Sequence, residues 1–290
     1  MSTSRNTLRK STGRSPTTAG RRGVQQSISG FRIPTIQKIG ELLRLFIPHA
    51  VGSAPGSGTW KLRDIARHLE WDDATTHRFL ISLSEIELLE RHNDEEFSVG
   101  LMTVELASVY LATNHLRNEL IKKMENLSEV SKLTAHIGVL QGNSMTIIAS
   151  REGSTPLKAR SLLGERVPLH VTAGGKAILS KLPDKTINKI LSGTLEKLAA
   201  NSRTDLQTLM IDIEDARKTG IARANSEFAD GLSGLAIPIP AGHFGPFPAA
   251  LACTGPTILP LNWKTAEQEL VAISETIEHR ANFDMQSDAV

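Results

Sequence analysis

The segment of this chain best equipped for chemistry is Val167-Pro168-Leu169-His170-Val171-Thr172-Ala173-Gly174-Gly175-Lys176-Ala177-Ile178-Leu179. A glycine-rich loop entering a helix offers backbone N–H groups without intrahelical partners at the positive end of a helix dipole, which suits a carboxylate. It is not a phosphate-binding P-loop, because that motif needs Gly where His170 stands and Ser or Thr where Ala177 stands. No catalytic set accompanies it. Gly231-Leu232-Ser233-Gly234 misses the spacing of a nucleophile elbow, which leaves Ser233 as a turn residue. The nine histidines include no pair at helical ligand spacing beside a carboxylate, so no metal site is expected, and His170 reads as structural or pocket-lining. Cys253 lies in an apolar strand without a basic neighbour in sequence, the setting of a buried and inert thiol. Neither an enzyme nor a cofactor is expected on these grounds.

The elements that would position such a loop follow from periodicity. A chain of 290 residues is comfortable for two domains of roughly 100 to 200 residues. A hydrophobic fraction of 40% with 22% charged residues excludes disorder of the whole chain. No stretch approaches about 18 apolar residues, no signal peptide is visible and the twin arginine Arg21-Arg22 leads into polar sequence, so neither a membrane span nor export is expected. The single cysteine gives no disulfide, and the cytoplasm is the expected location.

The net charge is only +2, yet residues 1–35 carry Arg5, Arg9, Lys10, Arg14, Arg21, Arg22 and Arg32 without one carboxylate. This basic arm buries too little apolar surface to order itself. It is either a phosphate-contacting arm or a solubilising leader. Beyond it, Ile36, Ile39, Leu42, Leu43 and Phe46 mark a first helix ending before Pro48. After a Gly/Ser/Pro/Ala-rich stretch, Leu62, Ile65, Ala66 and Leu69 mark a second helix, with Lys61, Arg63, Arg67 and His68 on its polar side. A third helix spans Thr75 to Ser84 behind Asp72, a natural N-cap, with Phe79, Leu80 and Leu83 inward. Strands at residues 88–92 and 97–99 then form a hairpin. This order is that of a helix-turn-helix followed by a wing.

In this order, Leu62-Arg63-Asp64-Ile65-Ala66, Thr75-Thr76-His77-Arg78-Phe79-Leu80 and Leu88-Leu89-Glu90-Arg91 resemble the DNA-binding domain of the IclR family of bacterial transcription factors. The glycine loop resembles the loop and helix start beside that family's effector pocket. The resemblance covers the chain from about Ile36 onward. It implies a disordered basic arm at 1–35, a mostly α winged helix-turn-helix at 36–100, a linker helix at 101–115 and a GAF-like α+β effector-binding domain at 116–290. It places Thr75, Thr76, His77 and Arg78 along the major groove and Arg91 and His92 on the backbone, with Lys61 and Arg63 as further basic contacts. The alternative for each is a solvated helix face or, for Arg78, an intradomain ion pair.

The chain departs from the family pattern where Glu70 and Glu87 replace glycines and Asp73 replaces a polar or basic residue. Left-handed turns at these glutamates would cost roughly 1–2 kcal/mol. Asp72 and Asp73 complement the helix dipole but repel phosphate. The expectation is modest affinity per half-domain, supported by pairing and by the arm.

From Leu101 a linker helix continues, and Leu116, Leu120, Met124 and Leu127 form a further apolar stripe. The linker either pairs subunits, as in the family, or packs on its own domain. Strands at 135–140, 145–150, 221–223, 235–239 and 249–253 predict a mixed, largely antiparallel α+β sheet. The resemblance assigns Ala173, Gly174, Ala224, Asn225, Gly234, Ala252 and Thr254 to the effector pocket. Some members carry Asp, Cys and Ser where Ala224, Gly234 and Ala252 stand, so the pocket is expected to be roomier and less polar. It should suit an aromatic or longer-chain acid rather than a two- or three-carbon oxoacid. The partners implied are double-stranded DNA with a palindromic operator, a small-molecule effector and a second copy of the chain, as a homodimer or homotetramer. An enzyme using the same cavity, or a sensor with a degenerate DNA-binding domain, are the competing functions.

Overall fold

The computed structural model of the chain describes residues 33–47, 58–93, 95–242 and 245–287. The basic arm up to residue 32, most of the Gly/Ser/Pro/Ala-rich stretch and the wing-turn residue Asp94 lie outside them. The chain divides into two units, residues 1–40 and 41–290. In the first, the described residues 33–40 carry the opening turns of helix α1 (Pro34–Leu45) and are largely exposed. Proline at the first helical position has its φ pre-set and gives up an N–H that would have no intrahelical partner.

The second unit begins its helix-turn-helix with strand β1 (Trp60–Lys61), which runs directly into α2 (Leu62–Leu69). Lys61 therefore stands on a strand at the helix entrance and not on the polar face of α2, a correction to the periodicity reading. Ile65 and Ala66 turn inward from α2, and Leu80 and Leu83 from α3 (Asp73–Glu85). Phe79 is only half-buried and tilts against Trp71 at 5.1 Å between ring centroids. Asp72 caps α3, its Oδ1 accepting from Thr75 N–H at 2.8 Å. Hydrogen bonds from Thr75, side chain first and then backbone, hold the Asp72 carboxyl below its ordinary range. The wing consists of β2 (Leu89–Arg91) and β3 (Glu96–Val99), and β1 pairs antiparallel with the far side of β3 to make a three-stranded sheet of order β1-β3-β2. Phe97, fully buried on β3, and Leu89 on β2 close this small core.

Both departures from glycine take the left-handed conformation, Glu70 at φ 56° and Glu87 at φ 59°. Glu70 ends α2, where its N–H turns back to Ala66 and Arg67 carbonyls, a closure for which glycine is the unstrained residue. Glu87 makes the turn from α3 into the wing, and the missing side chain of Gly100 lets the chain pass within contact of the Glu87 carbonyl.

Helix α4 (Met102–Thr113) has no buried residue, although it is apolar on every side. Then α5 (His115–Ser131) starts behind an Asn114 cap and buries Leu116, Leu120, Met124 and Leu127, the stripe read from the sequence. Six strands follow: β4 (Thr134–Gln141), β5 (Ser144–Arg151), β6 (Arg166–Pro168), β7 (Ala222–Asn225), β8 (Leu232–Ile239) and β9 (Ala249–Pro256). They form one sheet of order β6-β5-β4-β9-β8-β7 in which every described pair is antiparallel, as against the mixed, largely antiparallel sheet expected. Alternation along β9 shows its two-sided burial. Ala249, Leu251 and Cys253 join the core under α5 and α9 (Trp263–Ser287), while Ala250 and Ala252 face the core under α6 (Ala173–Ser180) and α8 (Leu206–Thr219). A short α7 (Asp184–Ile190) completes that second layer with Ile187. Cys253 is fully buried, and desolvation pushes its thiol up to about 12, so it is un-ionised at neutral pH.

Relieving the two strained turns tests their cost. Glu70→Gly and Glu87→Gly should each raise unfolding stability by about 1 kcal/mol in urea titrations; a loss of stability in both would show that the glutamate side chains contribute more than the strain costs.

Candidate functional site

A cavity of about 310 Å³ lies between the start of α6 and one face of the six-stranded sheet. Its hollowness follows from small residues at facing positions: Ala173 and Gly174 on α6, Ala224 on β7, Gly234 on β8 and Ala252 on β9 all line it. A Cβ on Gly174 would stand 2.7 Å from Met145 Cε, and one on Gly234 would stand 3.0 Å from Thr254 Cγ2. Gly175 serves a different purpose. Its Cβ would meet the Leu169 carbonyl oxygen at 2.2 Å, so glycine there lets the helix sit against its own entry loop. Thr172 caps α6, accepting from Gly175 N–H at 3.1 Å while its hydroxyl donates to the Pro168 carbonyl at 3.0 Å.

Most of the wall is apolar, with Met145, Ile147, Leu162, Val167 and Phe228 prominent, and the polar exceptions are few. His136 is buried on β4. Its Nδ1 lies 3.0 Å from Ser150 Oγ and its Nε2 3.2 Å from Thr254 Oγ1. Desolvation pushes the imidazole down to about 4, so the ring is neutral at physiological pH. Arg160 also lines the cavity, and its guanidinium is forked onto Glu165, with Nη2 donating to Oε2 at 2.8 Å.

Six of the seven residues assigned to the pocket from the sequence line this cavity: Ala173, Gly174, Ala224, Gly234, Ala252 and Thr254. Asn225 does not. It is exposed at the end of β7, one residue on from Ala224 and so pointing to the other face of the strand, where its Oδ1 accepts from Ser233 Oγ at 2.8 Å. Ser233 itself is on strand β8 rather than in a turn. His170 lines no part of the cavity, and its Nε2 lies 2.9 Å from the Glu196 carbonyl oxygen. Sequence reasoning missed His136 and Arg160; the one available signal was a histidine inside the otherwise apolar run Ala135–Leu140.

It also missed the polar cluster behind the cavity. Lys176, in the first turn of α6, is fully buried. Its Nζ donates to Asp212 Oδ2 at 2.6 Å on α8, to Glu227 Oε1 at 2.8 Å in the turn after β7 and to the Arg223 carbonyl at 3.3 Å. Arg203 Nε closes on Asp212 from solvent at 2.7 Å. Burial alone would raise Asp212, but hydrogen bonds from Arg203 and Lys176 outweigh it and hold the carboxyl below its ordinary range. The cluster fixes α6 to the turn whose Phe228 and Ala229 line the cavity.

On the helix-turn-helix, His77 and Arg78 are exposed on α3, as are Arg63 on α2 and Lys61 at its entrance. Thr75 is half-buried. Thr76 is fully buried and its hydroxyl donates to the Asp72 carbonyl at 3.0 Å, so it faces the core and not a groove, a correction to the assignment made from the sequence. On the wing, Arg91 Nε donates to the Asn93 carbonyl at 3.2 Å and His92 Nε2 lies 2.8 Å from Ser98 Oγ, with both side chains exposed. Lys61 Nζ stands 4.0 Å from Glu96, a surface pair of little energetic weight.

A winged helix-turn-helix followed in the same chain by a hollowed α+β domain defines a ligand-responsive, DNA-binding transcriptional regulator. The chain belongs to the IclR family: the IclR helix-turn-helix domain matches residues 35–93, and the bacterial transcriptional regulator IclR C-terminal domain matches residues 108–276. It is 26% identical over 250 residues to the HTH-type transcriptional regulator KdgR of Escherichia coli strain K12, covering 85% of this chain and 93% of that one. It is 25% identical over 228 residues to the HTH-type transcriptional repressor AllR of the same strain, covering 77% and 83%. Among solved structures, an IclR transcriptional regulator from Alicyclobacillus acidocaldarius shares the fold at a TM-score of 0.73 and 18% identity, over 85% of this chain and 98% of that one. An IclR homologue from Microbacterium hydrocarbonoxydans, solved in complex with 4-hydroxybenzoate, does so at 0.68 and 20%, over 84% and 97%.

Removing the buried cation leaves Glu227 buried without its cationic partner and Asp212 with Arg203 alone. Lys176→Met should therefore cost about 3–5 kcal/mol of unfolding stability, and the loss should shrink as the pH falls and the carboxylates protonate. A pH-independent loss under 1 kcal/mol would show that the cluster does not hold the domain together.

Proposed function

We propose that this regulator binds an aromatic or longer-chain organic acid in the cavity under α6 and that occupancy sets its affinity for a palindromic operator. The observation that carries this reading is the cavity wall. Ala224, Gly234 and Ala252 line a cavity of about 310 Å³ whose wall is mostly apolar, and by the resemblance they stand where some family members carry Asp, Cys and Ser. The first turn of α6 supplies the carboxylate end, since its leading N–H groups have no carbonyl one turn earlier within the helix. The Microbacterium homologue crystallised with 4-hydroxybenzoate is consistent with this chemistry within the same fold. We read the protein as a non-catalytic, cytoplasmic regulator that needs no cofactor. Among the described residues no helix is long and apolar enough to cross a membrane. The division we propose is a basic arm at 1–35, the winged helix-turn-helix at 36–100, a linker helix at 101–115 and the effector-binding domain at 116–290.

For DNA we assign His77 and Arg78 to the major groove, with Thr75 at its margin, and Lys61, Arg63, Arg91 and His92 to the backbone. Fluorescence anisotropy of the full chain with duplexes flanking its own gene, at two salt concentrations, tests this assignment. The native duplex should bind about 10³-fold or more tightly than a scrambled one. Arg78→Ala should cost about 1–3 kcal/mol and Thr76→Ala should leave the contacts to DNA unchanged. Removing residues 1–30 should flatten the salt dependence. Equal, weak binding of both duplexes would remove the DNA-reading role from this domain as assigned.

We assign α4 to the pairing of two copies. Val104, Leu106, Val109 and Tyr110 on this helix are 50–63% exposed, an apolar surface that costs free energy in water. Val109→Asp together with Leu106→Glu should convert a dimer or tetramer to smaller species in sedimentation velocity. An unchanged mass would place the pairing surface elsewhere.

A further inference from the structure

We propose that His136 and Thr254 form the specificity-determining pair of the cavity, a hydrogen-bonding wall that selects acids carrying a hydroxyl group at the end remote from the carboxylate. The inference rests on reading the cavity as the site of an organic acid, and adds to it which second group that acid carries.

Five residues with polar side chains line the cavity: His136, Arg160, Thr172, Ser233 and Thr254. Three are committed elsewhere. The Thr172 hydroxyl donates to the Pro168 carbonyl and accepts from Gly175 N–H, Ser233 donates to Asn225, and Arg160 is forked onto Glu165. Thr254 is different. Its Oγ1 has one described side-chain partner, His136 Nε2 at 3.2 Å, whereas a hydroxyl has one proton to donate and two lone pairs. One bond to the ring leaves hydrogen-bonding capacity directed at the space it lines.

The ring decides what that capacity is. A neutral imidazole has one N–H and one bare nitrogen, and Ser150 Oγ engages Nδ1 at 3.0 Å. If Nδ1 holds the proton, Nε2 accepts from Thr254, and the Thr254 oxygen offers the cavity an acceptor. If Nε2 holds it, Thr254 accepts from the ring and offers its own proton. Exchange of the proton between the two nitrogens, with rotation of the flanking hydroxyls, converts one state to the other. A hydroxyl on the ligand satisfies both states, since it donates and accepts. A carbonyl satisfies one, and a methyl or bare ring edge satisfies neither. Burial, which keeps the ring neutral, maintains this choice through the physiological pH range.

Sheet geometry sets the distance between the two ends. A Cβ on Gly174 would stand 3.7 Å from Ala252 Cβ, so the start of α6 lies over Ala252. Thr254 is the next residue on the same face of β9, and two residues of strand span about 6.7 Å. His136 is paired with Ala252 in the ladder and reaches along the sheet to Thr254. A carboxylate at α6 and a hydroxyl at Thr254 are thus separated by roughly the length of a benzene ring or a short alkyl chain.

Isothermal titration of the full chain with two matched pairs tests the proposal: benzoate against 4-hydroxybenzoate, and hexanoate against 6-hydroxyhexanoate. The hydroxylated member of at least one pair should bind about tenfold more tightly. Thr254→Val, nearly isosteric, should bring that ratio to about one while the parent acid stays within about twofold. Thr254→Ser should keep the preference, and His136→Phe should weaken it. If the parent acids bind wild type as well as their hydroxylated partners, or if the preference survives Thr254→Val, the pair does not select the ligand although the cavity does hold acids. If none of the four binds, whether pyruvate and glyoxylate bind or are silent too, the assignment of longer acids to the cavity fails and this proposal falls with it.

Discussion

The ligand-sensing part of this protein depends on one buried cation. Lys176 Nζ, without solvent exposure, is held by Asp212, Glu227 and the Arg223 carbonyl. Moving an ammonium out of water costs several kcal/mol, and only close carboxylates with further hydrogen bonds offset such a cost. Each partner arrives from a different element, so α6 can take one position relative to α8 and the β7 turn. That position is also what creates the cavity, because the same first turn of α6 supplies Ala173 and Gly174 to its wall. Lys176 does not touch the cavity, yet it fixes two of the surfaces that do.

Packing accounts for the space itself. Protein interiors fill to the density of organic crystals, so an opening near 310 Å³ persists only where large side chains are withheld from several facing positions at once. Here the withheld positions are Ala173, Gly174, Ala224, Gly234 and Ala252, on four different elements. An occupant would supply the missing contacts, and any molecule that binds the folded chain alone stabilises it in proportion to the logarithm of its concentration over its Kd. An element poised on such an opening is suited to report occupancy.

How much of this was legible in the sequence depended on how local the causes were. Asp72 as a cap is a one-turn effect visible in the order of neighbouring residues, whereas the left-handed glutamates were signalled only by the resemblance, through the glycines that the family carries at those positions. The stripe from Leu116 to Leu127 was visible because α5 buries a single face. The buried lysine was not, since Asp212 and Glu227 lie 36 and 51 residues away, on elements whose contact is set by the sheet order. Thr76 misled for a related reason. A threonine beside exposed His77 and Arg78 reads as polar surface, but the helical step from Thr76 to Leu80 puts both on the inner face, and the hydroxyl is satisfied by the Asp72 carbonyl. Asn225 failed on strand alternation: one step from Ala224 reverses the face.

The DNA-reading half accepts two costs at its turns. Glu70 and Glu87 sit at φ 56° and 59°, where glycine would be unstrained, and both are exposed acids on a domain that must approach phosphate. Asp72 adds a third negative group at the start of the helix that carries His77 and Arg78. Its carboxylate is committed to the Thr75 N–H, which keeps α3 capped. Removing it would relieve repulsion and fray the helix that positions Arg78, so capping and phosphate affinity oppose each other at one residue. These acidic groups would lower affinity per copy, and linking two copies through α4, as proposed above, would offset that without removing the cap. The second half-site then binds at an effective concentration set by the linkage, and avidity rises by orders of magnitude with no new contact. A weak reader linked in this way responds steeply to small changes in half-site spacing, which is the property that an effector cavity needs in order to act on DNA.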